Sequence, residues 1–435
     1  MTKKKIDELF FLLFCEKNSD GTKHLRLQGR ELYQRIGKRL NAENMSELAT
    51  FLLKYPDIIS INLSYNDIGD EGLRILSKEV FSQENKVQYL NLMHCDILAH
   101  GLHSLTSATC LKLRKVWLLG NKFGVPGARY IGSLLEKCPD LELLDIGETD
   151  QTLESIESIL TLIEKGSLKH LNISKILPSS YYSQYNDTIV ADDLGNLLKM
   201  NETLEVLRIQ KFNFDGHDIE LLLGGLYLHK KLTLLDLGAN RIGSHGAELL
   251  AEWLKTRPNL IALRLASNTI TTPGAQALGL ALPFSRIRYL DLHDNKIGDK
   301  GLAEIIDSLK KSTQMRLLFI WGNKIGKRVL PKLERILKAG TLKQENIDVQ
   351  IYYVDGERKA AYYPANYFEK KSFSLSPFGF PPELSIKRVK IPHSNAQPRA
   401  LIQLDNIDRF PPVNEQLGLK VAKIKPDNDI IHKSV

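Results

Sequence analysis

The chain has 435 residues, 43% of them apolar, and a formal net charge of +8 from 59 basic and 51 acidic residues. That is enough apolar material for a sizeable core, and the mild excess of base is spread too evenly for a dedicated nucleic-acid binder. Four cysteines (Cys15, Cys95, Cys110, Cys138) without a CxxC pair exclude a disulfide framework and suit a reducing compartment. No apolar run reaches the length of a membrane span.

The opening stretch, MTKKKIDELFFLLFCEKNSD, has the basic start and apolar run of a signal peptide. Asp7 and Glu8 interrupt it, however, and no small-residue cleavage site follows. Ile6, Leu9, Phe10, Leu13 and Phe14 fall on one helical face, which predicts an amphipathic capping helix within residues 1–21.

From about residue 22 to 345 one skeleton recurs: apolar-x-x-Leu-x-Leu-x-x-Asn, then glycines and a helical apolar face. The last slot of the strand motif falls at Asn66, Cys95, Asn121, Thr149, Ile176, Phe212, Asn240, Asn268, Asn295 and Asn323, with Arg30 in a degenerate first copy. The two leucines alternate along a short strand and point into one core. The Asn amide can satisfy backbone groups left unpaired by a sharp turn. Cys95 and Thr149 are small substitutes, whereas Ile176 and Phe212 lack an amide, which predicts irregular turns at those two points. Gly69, Gly124, Gly243 and Gly298 are read as tight-turn residues, and Gly72, Gly127, Gly246, Gly274 and Gly301 as points where the following helix starts close to its neighbours. One strand and one helix per repeat make an α/β solenoid, with a parallel sheet backed by helices. Strands about 4.8 Å apart against helices about 8–10 Å apart force the array to curve with the sheet inside. The LxLxxNxIGxxG core and the repeat length resemble the ribonuclease-inhibitor class of leucine-rich repeats.

The free strand positions then form the concave face: by register Arg26, Asn62, Tyr89, Asn91, Lys115, Trp117, Asp145, Asn172, Arg208, Asp236, Arg264, Asp291, Phe319 and Trp321. Exposed aromatics among charges of both signs point to a protein-binding surface; packing of Trp117 and Trp321 on neighbouring strands is the plainer alternative. The one long repeat carries an insertion with Tyr181, Tyr182 and Tyr185, either a tolerated loop or a contact loop on the rim. In MHCDILAHGLH the register sends His94, Cys95, His100 and His103 to different sides, so no metal site is expected. No catalytic constellation appears: GxSxG, HExxH and a P-loop are all missing. No cofactor, nucleic acid, membrane or small-molecule substrate is expected.

After the last repeat, IDVQIYYVDGERKAAYYP alternates around Asp355-Gly356, which predicts a hairpin over 346–363 that covers the open sheet edge. Residues 364–435 are Pro-rich and net basic, with Phe378, Phe380, Leu401 and Phe410 as scattered anchors of an extended tail. The segments HLRLQGRELYQRIGKRL and YYVDGERKAAYY resemble the leucine-rich repeat-containing protein 34 group. That resemblance implies a non-enzymatic cytoplasmic or nuclear protein of germ cells and ciliated tissue. A protein-binding scaffold in an assembly such as the ciliary axoneme follows as the leading expectation. Regulation of a small GTPase and a nuclear or nucleolar adaptor role are the alternatives.

Overall fold

A computed structural model describes residues 6–18, 20–178, 187–310 and 314–365, and the backbone of 386–388. The chain divides into two compact units, Met1–Val389 and Lys390–Val435; the second lies outside the described residues.

The first unit begins with helix α1 (Glu8–Leu13), strands β1 (Cys15–Asn18) and β2 (Lys23–Arg26), and helices α2 (Gly29–Ile36) and α3 (Met45–Lys54). Strand–helix pairs follow: β3 (Ile58–Asn62) with α4 (Gly69–Leu76), β4 (Tyr89–Asn91) with α5 (Ala99–Ser107), β5 (Lys115–Trp117) with α6 (Gly124–Lys137), and β6 (Leu143–Asp145) with α7 (Leu153–Glu164). Next come β7 (His170–Asn172) with α8 (Asp187–Met200), β8 (Val206–Arg208) with α9 (Gly216–Leu226), β9 (Leu234–Asp236) with α10 (Gly243–Lys255), and β10 (Ala262–Arg264) with α11 (Thr272–Ala281). The series closes with β11 (Tyr289–Asp291), α12 (Asp299–Ser308), β12 (Leu317–Phe319), α13 (Val329–Lys338), the hairpin β13 (Val349–Val354) and β14 (Glu357–Tyr362), and β15 (Ile386–Arg388).

Strands β2 to β12 pair in sequence order, all parallel. The middle residue of each three-residue strand points into the core. Leu90, Leu144, Leu171, Leu207, Leu235, Leu263, Leu290 and Leu318 are all fully buried there against the helices. Helix positions follow the same logic. On α12, Leu302, Ile305 and Ile306 are fully buried at helical spacing, and Glu304 is exposed. Gly274 allows the close approach of α11, since a Cβ there would stand 2.9 Å from the Ser244 Cα.

The turn slot is a hydrogen-bond ladder. The Asn295 Oδ1 accepts from the backbone N–H of Asn268 and Ile270 (2.9 and 3.0 Å), and its Nδ2 donates to the carbonyls of Leu265 and Leu292 (both 2.9 Å). Asn121 spans its own repeat and the preceding one in the same way. Asn66, Asn240, Asn268 and Asn323 each donate to carbonyls across the same junction. At Thr149 the hydroxyl donates to the Ile146 carbonyl.

Four expectations need correction. The turns at Ile176 and Phe212 are regular, because Lys175 and Lys211 take the same left-handed φ (50° and 57°) as their counterparts Ala239 and Asp294. Phe212 needs no amide of its own, since Asn240 of the next repeat accepts from Phe212 and Phe214 N–H. Gly298 has φ −76°, so it is not a left-handed turn residue. The N-terminal cap holds a strand as well as a helix, β1, antiparallel to β2. Finally, the hairpin forms, but as a separate two-stranded sheet tied to α13, where Glu334 accepts from Tyr353 and Arg358. The β12 edge is met instead by Ile347, which bridges to Leu318, and by Asp348. The Asp348 carboxylate accepts from the N–H of Ile320 and Trp321 (2.8 and 3.1 Å). At the opposite edge β15 pairs antiparallel with β1.

Candidate protein-binding face

Each strand sends its first and third residues to the face opposite the helices. The parallel register aligns the last residues of the strands into one column: Arg26, Asn62, Asn91, Trp117, Asp145, Asn172, Arg208, Asp236, Arg264, Asp291 and Phe319. Tyr89 and Lys115 stand in the neighbouring first-residue column.

This face is less open than its composition implies. Trp117, Asp145, Arg208, Asp236, Asp291 and Phe319, expected as exposed contact residues, are buried. The cause is the strand spacing. Side chains that repeat about every 4.8 Å down a parallel, in-register sheet cover one another. Trp117 lies in an apolar cluster with Met93 and Leu143. Phe319 lies in a second cluster with Leu234, Ala262, Tyr289, Leu317 and Ala365, and packs edge-on to Tyr289 at 5.5 Å.

Alongside the second cluster, on strands β8 to β11, runs a ladder of ions. The Asp236 Oδ2 accepts from Arg208 Nη1 (3.0 Å), Arg264 Nη1 (2.9 Å) and Gln210 Nε2 (2.5 Å). Arg264 Nε reaches Asp291 Oδ2 at 3.4 Å, and His293 Nδ1 bonds Asp291 Oδ1. Burial opposes the charge on Asp291, but His293 and Arg264 outweigh it and hold the acid below its ordinary range. Asp145 shows the opposite balance. Its burial is offset only by the Gly147 N–H, the Asn172 amide and the more remote charge of Arg208, and its pKa is pushed up to about 6. Burial likewise lowers His170 to about 4. Buried charges are retained when each is paired and hydrogen-bonded, as along this ladder.

Arg26, Tyr89, Lys115, Arg264 and Trp321 remain half-buried. Arg26 pairs with Glu31 at 3.1 Å. Lys115 Nζ stands 5.5 Å from the Tyr89 ring centre, and Trp321 packs edge-on to Tyr362 of the hairpin at 5.9 Å. The Trp321 anchor is thus partly taken up by the cap. Tyr181, Tyr182 and Tyr185 lie outside the described residues, as do Phe378, Phe380, Leu401 and Phe410. His94 stacks on Tyr65 at 4.9 Å, the Cys95 thiol donates to the Leu63 carbonyl, and His103 packs on Tyr130. These side chains point to three separate places. Among the described residues no helix is long and apolar enough to cross a membrane.

Reading each repeat by itself missed the ladder. The signal lay in the slot read down the array, where Arg208, Asp236, Arg264 and Asp291 alternate in sign.

The Leucine Rich repeat family model matches residues 57–77, 229–251, 257–279 and 287–305. Leucine-rich repeat-containing protein 34 of Mus musculus is 35% identical over 214 residues, which cover 48% of this chain and 50% of the relative. Its Homo sapiens counterpart is 37% identical over 232 residues, covering 49% of each. Ribonuclease inhibitor of Sus scrofa is 25% identical over 321 residues, covering 72% of this chain and 63% of the inhibitor. The chain spans about half the length of the first of these relatives.

Proposed function

We propose that this chain, a leucine-rich-repeat protein of the ribonuclease-inhibitor class that resembles leucine-rich repeat-containing protein 34, is a non-enzymatic scaffold that holds protein partners on its strand face. The observation that carries the reading is the half-exposed pair Tyr89 and Lys115 on a strand face that, further along the same sheet, is locked by the ion ladder Arg208–Asp236–Arg264–Asp291. A platform locked before contact loses little conformational entropy on binding. Aromatic and guanidinium groups are favoured interface anchors.

The finer reading is a fixed structural component of a large assembly, with the ciliary axoneme as the leading case and the tail as a second contact. It is supported by the resemblance and by the Pro-rich, basic composition of the tail. The test is affinity capture from ciliated-cell and nuclear extracts with three forms: the full chain, residues 1–365, and a Tyr89→Ala/Lys115→Ala variant. Axonemal proteins held by the full chain and lost from both altered forms are the expected result. A GTPase or a nucleolar set held equally by all three contradicts both the axonemal placement and the strand-face assignment.

A further inference from the structure

The residues just before each strand line one rim of the sheet. In register they are Gln88, Arg114, Glu142, Lys169, Glu205, Thr233, Ile261, Arg288 and Arg316, each one place ahead of a strand. In the first half this rim neutralises itself. Glu142 sits between Arg114 (2.5 Å) and Lys169 (3.3 Å). Burial opposes the Glu142 charge, but the two cations prevail and lower its pKa.

The second half is built differently. Lys230, Lys231, Arg257, Arg286 and Arg288 converge on an open cleft of about 570 Å³ that crosses three repeats. All five are exposed, and none forms a salt bridge among the described residues. Glu205 is the one acid among the described residues that line the cleft. Its floor is tied together across the repeats: Arg286 Nη1 donates to Asn259 Oδ1, and Asn259 Nδ2 donates to the Lys230 carbonyl at 2.7 Å.

Part of this charge has a structural cause. Lys230 and Lys231 follow α9, and Arg257 follows α10, where cations suit the negative ends of the helices. That cause does not reach Arg286 and Arg288, which enter β11. It also does not explain why Arg257 holds a left-handed φ of 61° at a helix end, where Gly37 and Gly340 stand after α2 and α13. An arginine there carries backbone strain that glycine would relieve.

We propose that this rim cleft is a binding site for an extended acidic peptide. Three guanidinium forks and two ammonium groups suit a run of carboxylates or phosphorylated hydroxyls, which arginine grips with two parallel hydrogen bonds. Gln314 offers a neutral amide for a peptide backbone, while Asn259 and Thr233 are engaged in holding the cleft together. No aromatic ring is among the described lining residues, so the cleft lacks the stacking platform that single-stranded nucleic acid uses. The site is separate from the strand face and stands or falls independently of it.

The test is fluorescence anisotropy with the full chain and three labelled probes: a dodecamer of glutamate, a dodecapeptide with three phosphoserines in a Gly/Ala background, and a uridine dodecamer RNA. Two charge-reversal variants accompany the wild type. Arg286→Glu/Arg288→Glu alters the cleft, and Lys296→Glu/Lys300→Glu imposes the same charge change on the opposite, turn-side rim. The expected result is salt-sensitive binding of at least one peptide, weakened about ten-fold or more by the cleft variant and little by the control. The peptide bound more tightly identifies the anion as carboxylate or phosphate. Equal losses in both variants, no peptide binding at low salt, or RNA binding more tightly than either peptide overturns the proposal. Unchanged thermal melting of the cleft variant shows that any loss is not a failure to fold.

Discussion

Cations meet two different fates in this protein. On the strand face Arg208 is almost wholly buried and shares Asp236 with Arg264. At the rim ahead of strands β9 to β11, Lys230, Lys231, Arg257, Arg286 and Arg288 are exposed and form no salt bridge among the described residues. Both sets occupy variable positions of one repeat. The skeleton decides where a side chain points, and only the residues in the neighbouring repeats decide whether its charge is spent on the fold or left for a ligand.

The largest effect is expected where that difference is greatest. Asp236→Ala leaves Arg208 buried without its acid, and should cost about 4 kcal/mol in urea unfolding. A loss below about 1 kcal/mol would place the ladder with ordinary surface pairs. Next comes a polar group that is buried but neutral. Asn295→Leu strips partners from two N–H and two carbonyl groups, and should cost about 3 kcal/mol by the same measurement.

Asp348 sharpens the comparison, because it is a buried acid held by backbone N–H groups rather than by a guanidinium. Burial raises its pKa to about 6 in the folded chain, above the ordinary value near 4. The folded state therefore binds this proton more tightly than the unfolded state does. The stabilisation is fully present below about pH 4 and is lost as pH rises through 6. Asp348→Asn should remove that dependence. The stability difference between wild type and variant should change by about 2 kcal/mol between pH 4 and 7. Parallel pH profiles would show that Asp348 is ionised as easily in the folded chain as in the unfolded one.

The smallest effect is expected on the neutralised rim. Glu142→Gln frees Arg114 and Lys169 at a cost of about 0.5 kcal/mol or less. It should also make the first half of the rim a weak site for the same acidic peptides, read as added anisotropy in the Arg286→Glu/Arg288→Glu background. No gain there would mean that the geometry of the three-repeat cleft matters beyond its charge.

Much of this was legible in the sequence. The leucine slots and the Asn turn recur so regularly that strand register, core side and repeat boundaries could be read directly. The column from Arg26 to Phe319 follows from that register alone. Burial on the strand face was not legible, because a period-two pattern gives the side of a sheet and not what covers it. Trp117 and Phe319 look exposed until their neighbours Met93, Leu143 and Tyr289 are placed. The regular turns at Ile176 and Phe212 were misread because the compensating amide at Phe212, Asn240, belongs to the next repeat. Strand β1 was missed because Cys-Glu-Lys-Asn carries no apolar alternation; its pairing with β2 is tertiary. The rim cleft was invisible for a related reason. Lys230, Arg257 and Arg286 are each a full repeat apart, and singly they read as solvated surface.

The most direct test sets the two fates of charge side by side: urea unfolding of Asp236→Ala and of Arg286→Glu/Arg288→Glu at one pH and salt. The account predicts a loss of about 4 kcal/mol for the first and a change within about 0.5 kcal/mol for the second. Equal losses, or a larger loss at the rim, would contradict the division between charges that hold the fold and charges left free to bind.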